Sequence, residues 1–193
     1  MVKDSLHRGS RSSRWAAPLM VAAMTMGLAG CGKSPEERLA DASAAMAEKD
    51  FSTAVIELKN VLQEDPDVLE ARLMLAQSAF ALGDPQTAEK ELERAYALGA
   101  DAAEQRALHY RIQLALGNFE RVSVPLSQEG GADGLTPAEA ATFKGNAELG
   151  LRRPAEAEAS FRAALAEDPG YADAKVGLIG ALQAQGRNEE VEA

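Results

Sequence analysis

Few residues in this chain have the type and company that covalent or metal chemistry needs. The 193 residues include one cysteine, Cys31, and two histidines, His7 and His109. A lone cysteine closes no internal disulfide; it is a free thiol, a metal ligand or a modification site. No Cys/His cluster with zinc-ligand spacing surrounds it. A nucleophile-base-acid triad needs a reactive base, and beyond residue 30 the only imidazole is His109. No glycine-rich phosphate loop follows a strand pattern. Paired carboxylates are available among the many acidic residues, but charged helix faces are their ordinary explanation. The chain therefore reads as a non-enzyme, with no cofactor and no metal.

The balance of charge narrows the partners. Net charge is −10 overall. Beyond residue 30 the chain keeps 16 basic and 29 acidic residues, because Lys3, Arg8, Arg11 and Arg14 all precede that point. Nucleic-acid binding rests on basic patches that neutralise phosphates, so no nucleic-acid partner is expected. Aromatic residues make up only 5% of the sequence. The core is expected to be built from alanine and leucine, both strong helix formers.

Those four basic residues open a targeting segment. After them comes the mostly apolar run "WAAPLMVAAMTMGLA", which ends at the small residues preceding Cys31. A basic start, a short apolar stretch and small residues at the end describe a secretory signal peptide. Fifteen residues with Pro18 inside fall short of the ~20 that span a bilayer. The tetrapeptide "LAGC" (28–31) resembles the lipobox of bacterial lipoproteins. That resemblance implies cleavage between Gly30 and Cys31 and a diacylglyceryl group on the Cys31 thiol. Several acyl chains would make the anchoring stable. The expected plan is a signal peptide over 1–30, a lipidated N-terminus over 31–34 and the folded part over 35–193. Gly32 rather than aspartate after the cysteine points to the outer membrane, with the folded part facing the periplasm.

The folded part repeats itself. "AEKDFSTAVIELKNVLQEDPD" (47–67), "ALGDPQTAEKELERAYALGAD" (81–101) and "GLRRPAEAEASFRAALAEDPG" (150–170) share one pattern of turn, alanine and apolar residues. Self-similarity at such a period marks a repeat architecture. The unit resembles the tetratricopeptide repeat, a pair of antiparallel helices. On that template the units run 35–68, 69–102, 103–136 and 138–171, with a partial unit at 172–193. The expectation is an all-α solenoid, a right-handed superhelix of helix-turn-helix units. Ala42, Ala76 and Gly145 fall where the two helices of a unit come close. Gly83, Gly117 and Gly186 break the chain between helices, and Pro66 and Pro169 close second helices. Capping boxes are expected at "SPEE" (34–37), "DVLE" (67–70), "DAAE" (101–104) and "TPAE" (136–139). Pro125, followed by Gly130, Gly131 and Gly134, predicts a short or kinked second helix and a loose connection in the third unit. His109 falls in a packing column.

The same resemblance implies that first helices line a concave groove. Unit position 2 gives Glu36, Glu70, Glu104, Glu139 and Asp173, either an acidic rail for a basic partner or first-turn acids favoured by the helix dipole. Position 12 gives Met46, Phe80, Leu114 and Leu149, an apolar peptide strip or simply packing between units. Position 9 gives Ser43, Gln77, Arg111 and Asn146, and Leu73 stands at position 5. The groove candidates are Glu70, Leu73, Gln77, Phe80, Glu104, Arg111, Leu114, Glu139, Asn146 and Leu149. Only Arg111 and Asn146 match the chaperone-tail clamp of some family members, so a terminal-carboxylate clamp is not expected.

Residues 31–100 resemble more narrowly the start of the PEP-CTERM/exosortase system tetratricopeptide lipoproteins. The match is carried by Ala54–Asn60, Asp65-Pro66, Glu70–Leu73 and Gly83–Pro85. That resemblance implies a scaffold for exopolysaccharide export or protein sorting, with envelope proteins or peptides in the groove and the membrane held through Cys31. Family members are longer, so this chain is expected to be an N-terminal fragment, a truncated gene product or a short relative. Lipoproteins of pilus or outer-membrane assembly share the same plan and are the alternative. The targeting subunit of an envelope hydrolase is the reading from another class.

Overall fold

The computed structural model describes residues 33–190. The signal-peptide segment and Cys31 lie outside the described residues. Nine α-helices stand among them: α1 (Pro35–Ala47), α2 (Phe51–Glu64), α3 (Leu69–Ala81), α4 (Pro85–Ala97), α5 (Arg106–Ala115), α6 (Glu120–Ser123), α7 (Pro137–Gly150), α8 (Pro154–Glu167) and α9 (Ala172–Ala184). Short 3-10 turns follow at Pro125–Ser127 and Asn188–Glu190. The fold is the expected all-helical solenoid of hairpins.

Each hairpin bends in the same way. Gly83, Gly117 and Gly186 take φ near +78°, +75° and +78°, where a side chain would be strained. Lys49 (φ 62°) and Arg152 (φ 59°) hold the equivalent place in the first and fourth hairpins. Past each bend, a backbone N–H reaches five residues back, as from Asp50 to the Ala45 carbonyl at 2.8 Å and from Arg153 to the Glu148 carbonyl at 2.9 Å. These bonds close the first helix.

The helix starts are uneven. Ser34 with Glu37 and Thr136 with Glu139 form complete capping boxes. Asp50 and Asp84 cap the second helices through Thr53 and Thr87. The other two expected boxes are absent. Val68 stands at the cap of α3 and offers no side-chain bond. Asp101 accepts from Ala103 and Glu104 (2.7 and 3.2 Å), but it closes a turn. The helix proper begins later, at Arg106.

Packing follows the repeat. Ala42, Ala54, Leu58, Val61, Ala71 and Leu75 bury one cluster at the first junction. Ala76, Ala79, Ala88, Leu92 and Ile112 bury the next. Tyr110, Val122, Phe143 and Ala147 form a third, and Phe161 with Ala157, Ala164, Ala174 and Ala181 a fourth. Small residues set these distances. A Cβ on Gly145 would meet the Phe161 ring at 2.8 Å, and one on Gly177 would come closer still. The ring is seated between two bare backbones.

The third unit departs from the others. Its second helix, α6, has four residues before Pro125 turns it into a 3-10 turn. The short helix was expected; the loose connection after it is corrected. Gly131 is buried, and the Tyr110 hydroxyl donates to its carbonyl at 2.8 Å. Gly134 lies against the Ala103 carbonyl with no room for a Cβ. The segment is packed back onto the solenoid.

Charged rungs complete the frame. Arg38 on α1 donates to Glu57 on α2 at 2.8 Å. Arg72 on α3 pairs with Glu91 on α4, and its other nitrogens donate to the Pro66 carbonyl at 3.1 and 2.7 Å. Both pairs are separated by 19 residues. Buried Gln113 donates to Glu89 at 3.0 Å and accepts from Asn118 at 2.9 Å, tying α4 to α5.

Candidate functional site

First helices touch at three of the four junctions between described units, α1 with α3, α5 with α7 and α7 with α9, while α3 and α5 make no comparable contact. Among the described residues no comparable contact joins two second helices. First helices therefore crowd the inner side of the curve, and their free face is the candidate site.

The ten groove candidates divide by exposure. Glu70, Gln77, Glu104 and Arg111 are exposed, and Glu139 and Asn146 are half-buried. The apolar ones serve two purposes. Leu73 and Phe80 pack against the α3–α5 cluster, Leu114 against the Tyr110 cluster and Leu149 against the Phe161 cluster, and all four remain partly open. The apolar column is thus part of the inter-repeat packing, with an open edge.

The acidic column is interrupted. Glu104 lies in the turn that precedes α5, so it stands off the helical row. Glu139 is a capping residue, its carboxylate accepting from the Thr136 backbone at 2.9 Å. Acid at this position serves the helix start there.

Arg111, Glu139 and Asp173 lie within electrostatic reach of Tyr171, a residue that sequence reasoning passed over. Burial raises the Tyr171 hydroxyl above its ordinary pKa; Glu139, Asp173 and Asp168 add to that push, and Arg111 opposes it. Tyr171 also lines a notch of about 400 Å³ with Thr136, Glu139, Glu167 and Asp168. The "DPGYADA" stretch carried the signal: an aromatic residue directly before a first helix. The arrangement offers a phenol and several carboxylates to a partner's donors, and Arg111 to an acceptor. Among the described residues no group of His, Cys, Asp and Glu is placed to hold a metal ion. No described helix is long and apolar enough to cross a membrane.

The tetratricopeptide-repeat family model matches residues 45–112 and 148–193, more than half of the chain. The unmatched interval holds α6 and the packed segment after it. No curated protein matches the sequence. Among solved structures, the chain is similar to the MamA protein, with a TM-score of 0.64 at 19% identity over 82% of this chain and 86% of that one. A second MamA structure, from MSR-1, gives 0.63 at 20% identity over 81% and 90%. TTC0263, a thermophilic repeat protein of Thermus thermophilus, gives 0.58 at 21% over 82% and 86%. At these identities the likeness is one of fold.

Proposed function

This chain belongs to the tetratricopeptide-repeat family, and we propose that it is a lipid-anchored scaffold of the bacterial envelope that holds protein partners along its first-helix face. One observation carries the binding part of this reading. The inner face leaves Gln77 and Arg111 exposed and Asn146 half-buried, beside half-open Phe80, Leu114 and Leu149. Polar side chains next to apolar edges suit an extended peptide or a partner helix. The family is one of protein-binding modules, and the reading includes no catalytic step.

The anchor rests on the sequence. "LAGC" ends a basic-then-apolar leader, and only Gly32 and Lys33 separate Cys31 from the Ser34 cap. Gly32 rather than aspartate after the cysteine supports the outer membrane, and in this reading the folded part faces the periplasm. The run from Ala54 to Asn60, with Asp65-Pro66 and Gly83–Pro85, supports a place in exopolysaccharide export or PEP-CTERM protein sorting.

Photo-crosslinkers at Gln77 or Asn146 in cells, with Ala163 on the second-helix side as control, test the scaffold. Adducts with export or sorting components from the inner positions support it. Adducts with pilus or outer-membrane assembly proteins would move the protein to that pathway, and adducts from Ala163 alone would remove the groove. Cys31→Ser is expected to leave an uncleaved precursor that takes up no palmitate; labelled, processed protein from this variant would overturn the anchor.

A further inference from the structure

The series of charged rungs has a gap. Arg38, Arg72 and Arg106 occupy the same place in three successive units, 34 residues apart. The first two each meet a carboxylate 19 residues on, Glu57 and Glu91. For Arg106 that residue is Pro125. Pro125 brings no carboxylate, and α6 ends just before it. Among the described residues no ion pair reaches Arg106, and its Nε–H is buried with no acceptor. Arg38 also has an unbonded Nε, but Glu64 lies 3.8 Å from it and Glu57 accepts from its Nη1.

A cavity stands where the missing rung would be. It measures about 210 Å³ and is lined by Tyr96, Arg106, His109, Tyr110, Arg121 and Pro125. The Tyr96 and His109 rings are 6.2 Å apart, and those of His109 and Tyr110 5.8 Å. Arg121 is already held by Glu89 at 3.3 Å, which leaves Arg106 as the uncommitted cation. The cavity is smaller than the ~300 Å³ at which drug-sized ligand sites begin. It suits a single side chain. Glu57 and Glu91 each accept from Nη1 of their arginine; a carboxylate placed likewise on Arg106 would add the charge-assisted hydrogen bond that its unit lacks.

We propose that this cavity, away from the inner groove, receives a glutamate side chain from a partner polypeptide, whose carboxylate takes the place on Arg106 that Glu57 and Glu91 take on Arg38 and Arg72. The partner supplies in trans the rung that Pro125 removed. The site stands independently of the groove.

The test follows the Arg106 Nε–H resonance in the full chain, in detergent micelles, labelled with ¹⁵N-arginine. Arg106→Lys removes that resonance and so assigns it. N-acetyl-glutamate N-methylamide is the probe, and the glutamine analogue and sodium formate are controls. The expected result is a saturable downfield shift with the glutamate probe alone. An equal shift with the glutamine analogue would overturn the proposal. So would an equal shift with formate, which would make the site a general anion site. Pro125→Glu restores a carboxylate at the 19-residue spacing. It is expected to shift the same resonance without probe and to abolish the response, whereas Pro125→Gln keeps the response. Identical behaviour of the two variants, or no shift under any condition, would also overturn it.

Discussion

Glu91 answers two arginines. Its carboxylate pairs with Arg72 in the interior and accepts from Arg94 at 2.8 Å. Removing one partner of a buried pair costs more than the pair contributes, because the other charge stays buried. Glu91→Ala should therefore lower stability by about 3 kcal/mol, read as a fall in the urea midpoint, and Glu91→Gln by less. His109 supplies a pH signal. Burial pushes its imidazole below the ordinary 6.5; Arg106 and Arg121 push the same way, and Glu89 and Glu93 oppose them. The unfolded chain then takes up the proton first as pH falls. Stability is whole above about 6.5 and declines as pH drops through that value toward the folded pKa. The urea midpoint should fall between about pH 7 and about pH 5, the range in which histidine titrates, and His109→Gln should flatten that fall. At this scale the sequence was partly legible. The 19-residue spacing of Arg38–Glu57 and Arg72–Glu91 was visible, but arginine at a place where the family template wants tryptophan hid its meaning. Tyr171 was missed because its role depends on charges from three units, brought together only by the fold.

Among the elements, the seat of Phe161 makes a sharp case. Gly177→Ala would drive a methyl into the ring, and overpacking of this kind costs about 1–3 kcal/mol. Phe161→Leu in the same chain should recover part of that loss, and thermal unfolding of the two variants checks it. The hairpin bends give the opposite sign. Lys49 and Arg152 pay for a left-handed backbone that glycine adopts freely. Arg152→Gly should stabilise the chain by up to about 1 kcal/mol, the roughly 1–2 kcal/mol left-handed cost less the extra entropy that glycine loses on folding, and a loss of stability would show that the Arg152 side chain contributes contacts of its own. Helix existence and order were legible from alanine and glycine spacing. The starts of α3 and α5 were not: Asp67 and Asp101 are good capping residues, but Val68 and Gln105 stand at the caps. The Asp101 carboxylate closes a local turn by accepting from Ala103 and Glu104, and beside Asp67 it is the Asp65 carboxylate that accepts, from the Asp67 backbone N–H.

At the scale of the whole molecule, each unit leans only on its neighbours, so stability is a chain of local terms. The third unit brings a four-residue second helix where the others bring 13 or 14. Hydrogen exchange should be fastest in α5 and α6 and slowest in α3, α4, α7 and α8; uniform protection would mean that the Tyr110–Gly131 bond and its surroundings make up the whole difference. The family match is interrupted from 113 to 147, an interval that takes in α6, the packed segment after it and most of α7. A linear array held at one end and loaded at the other also carries tension in series, and it yields first at its most compliant link. Among the described helices, that link stands between α1–α4 and α7–α9. Pulling would part the array into two folded blocks of paired helices, and the solenoid would behave as two stiff rods joined by a mechanical fuse.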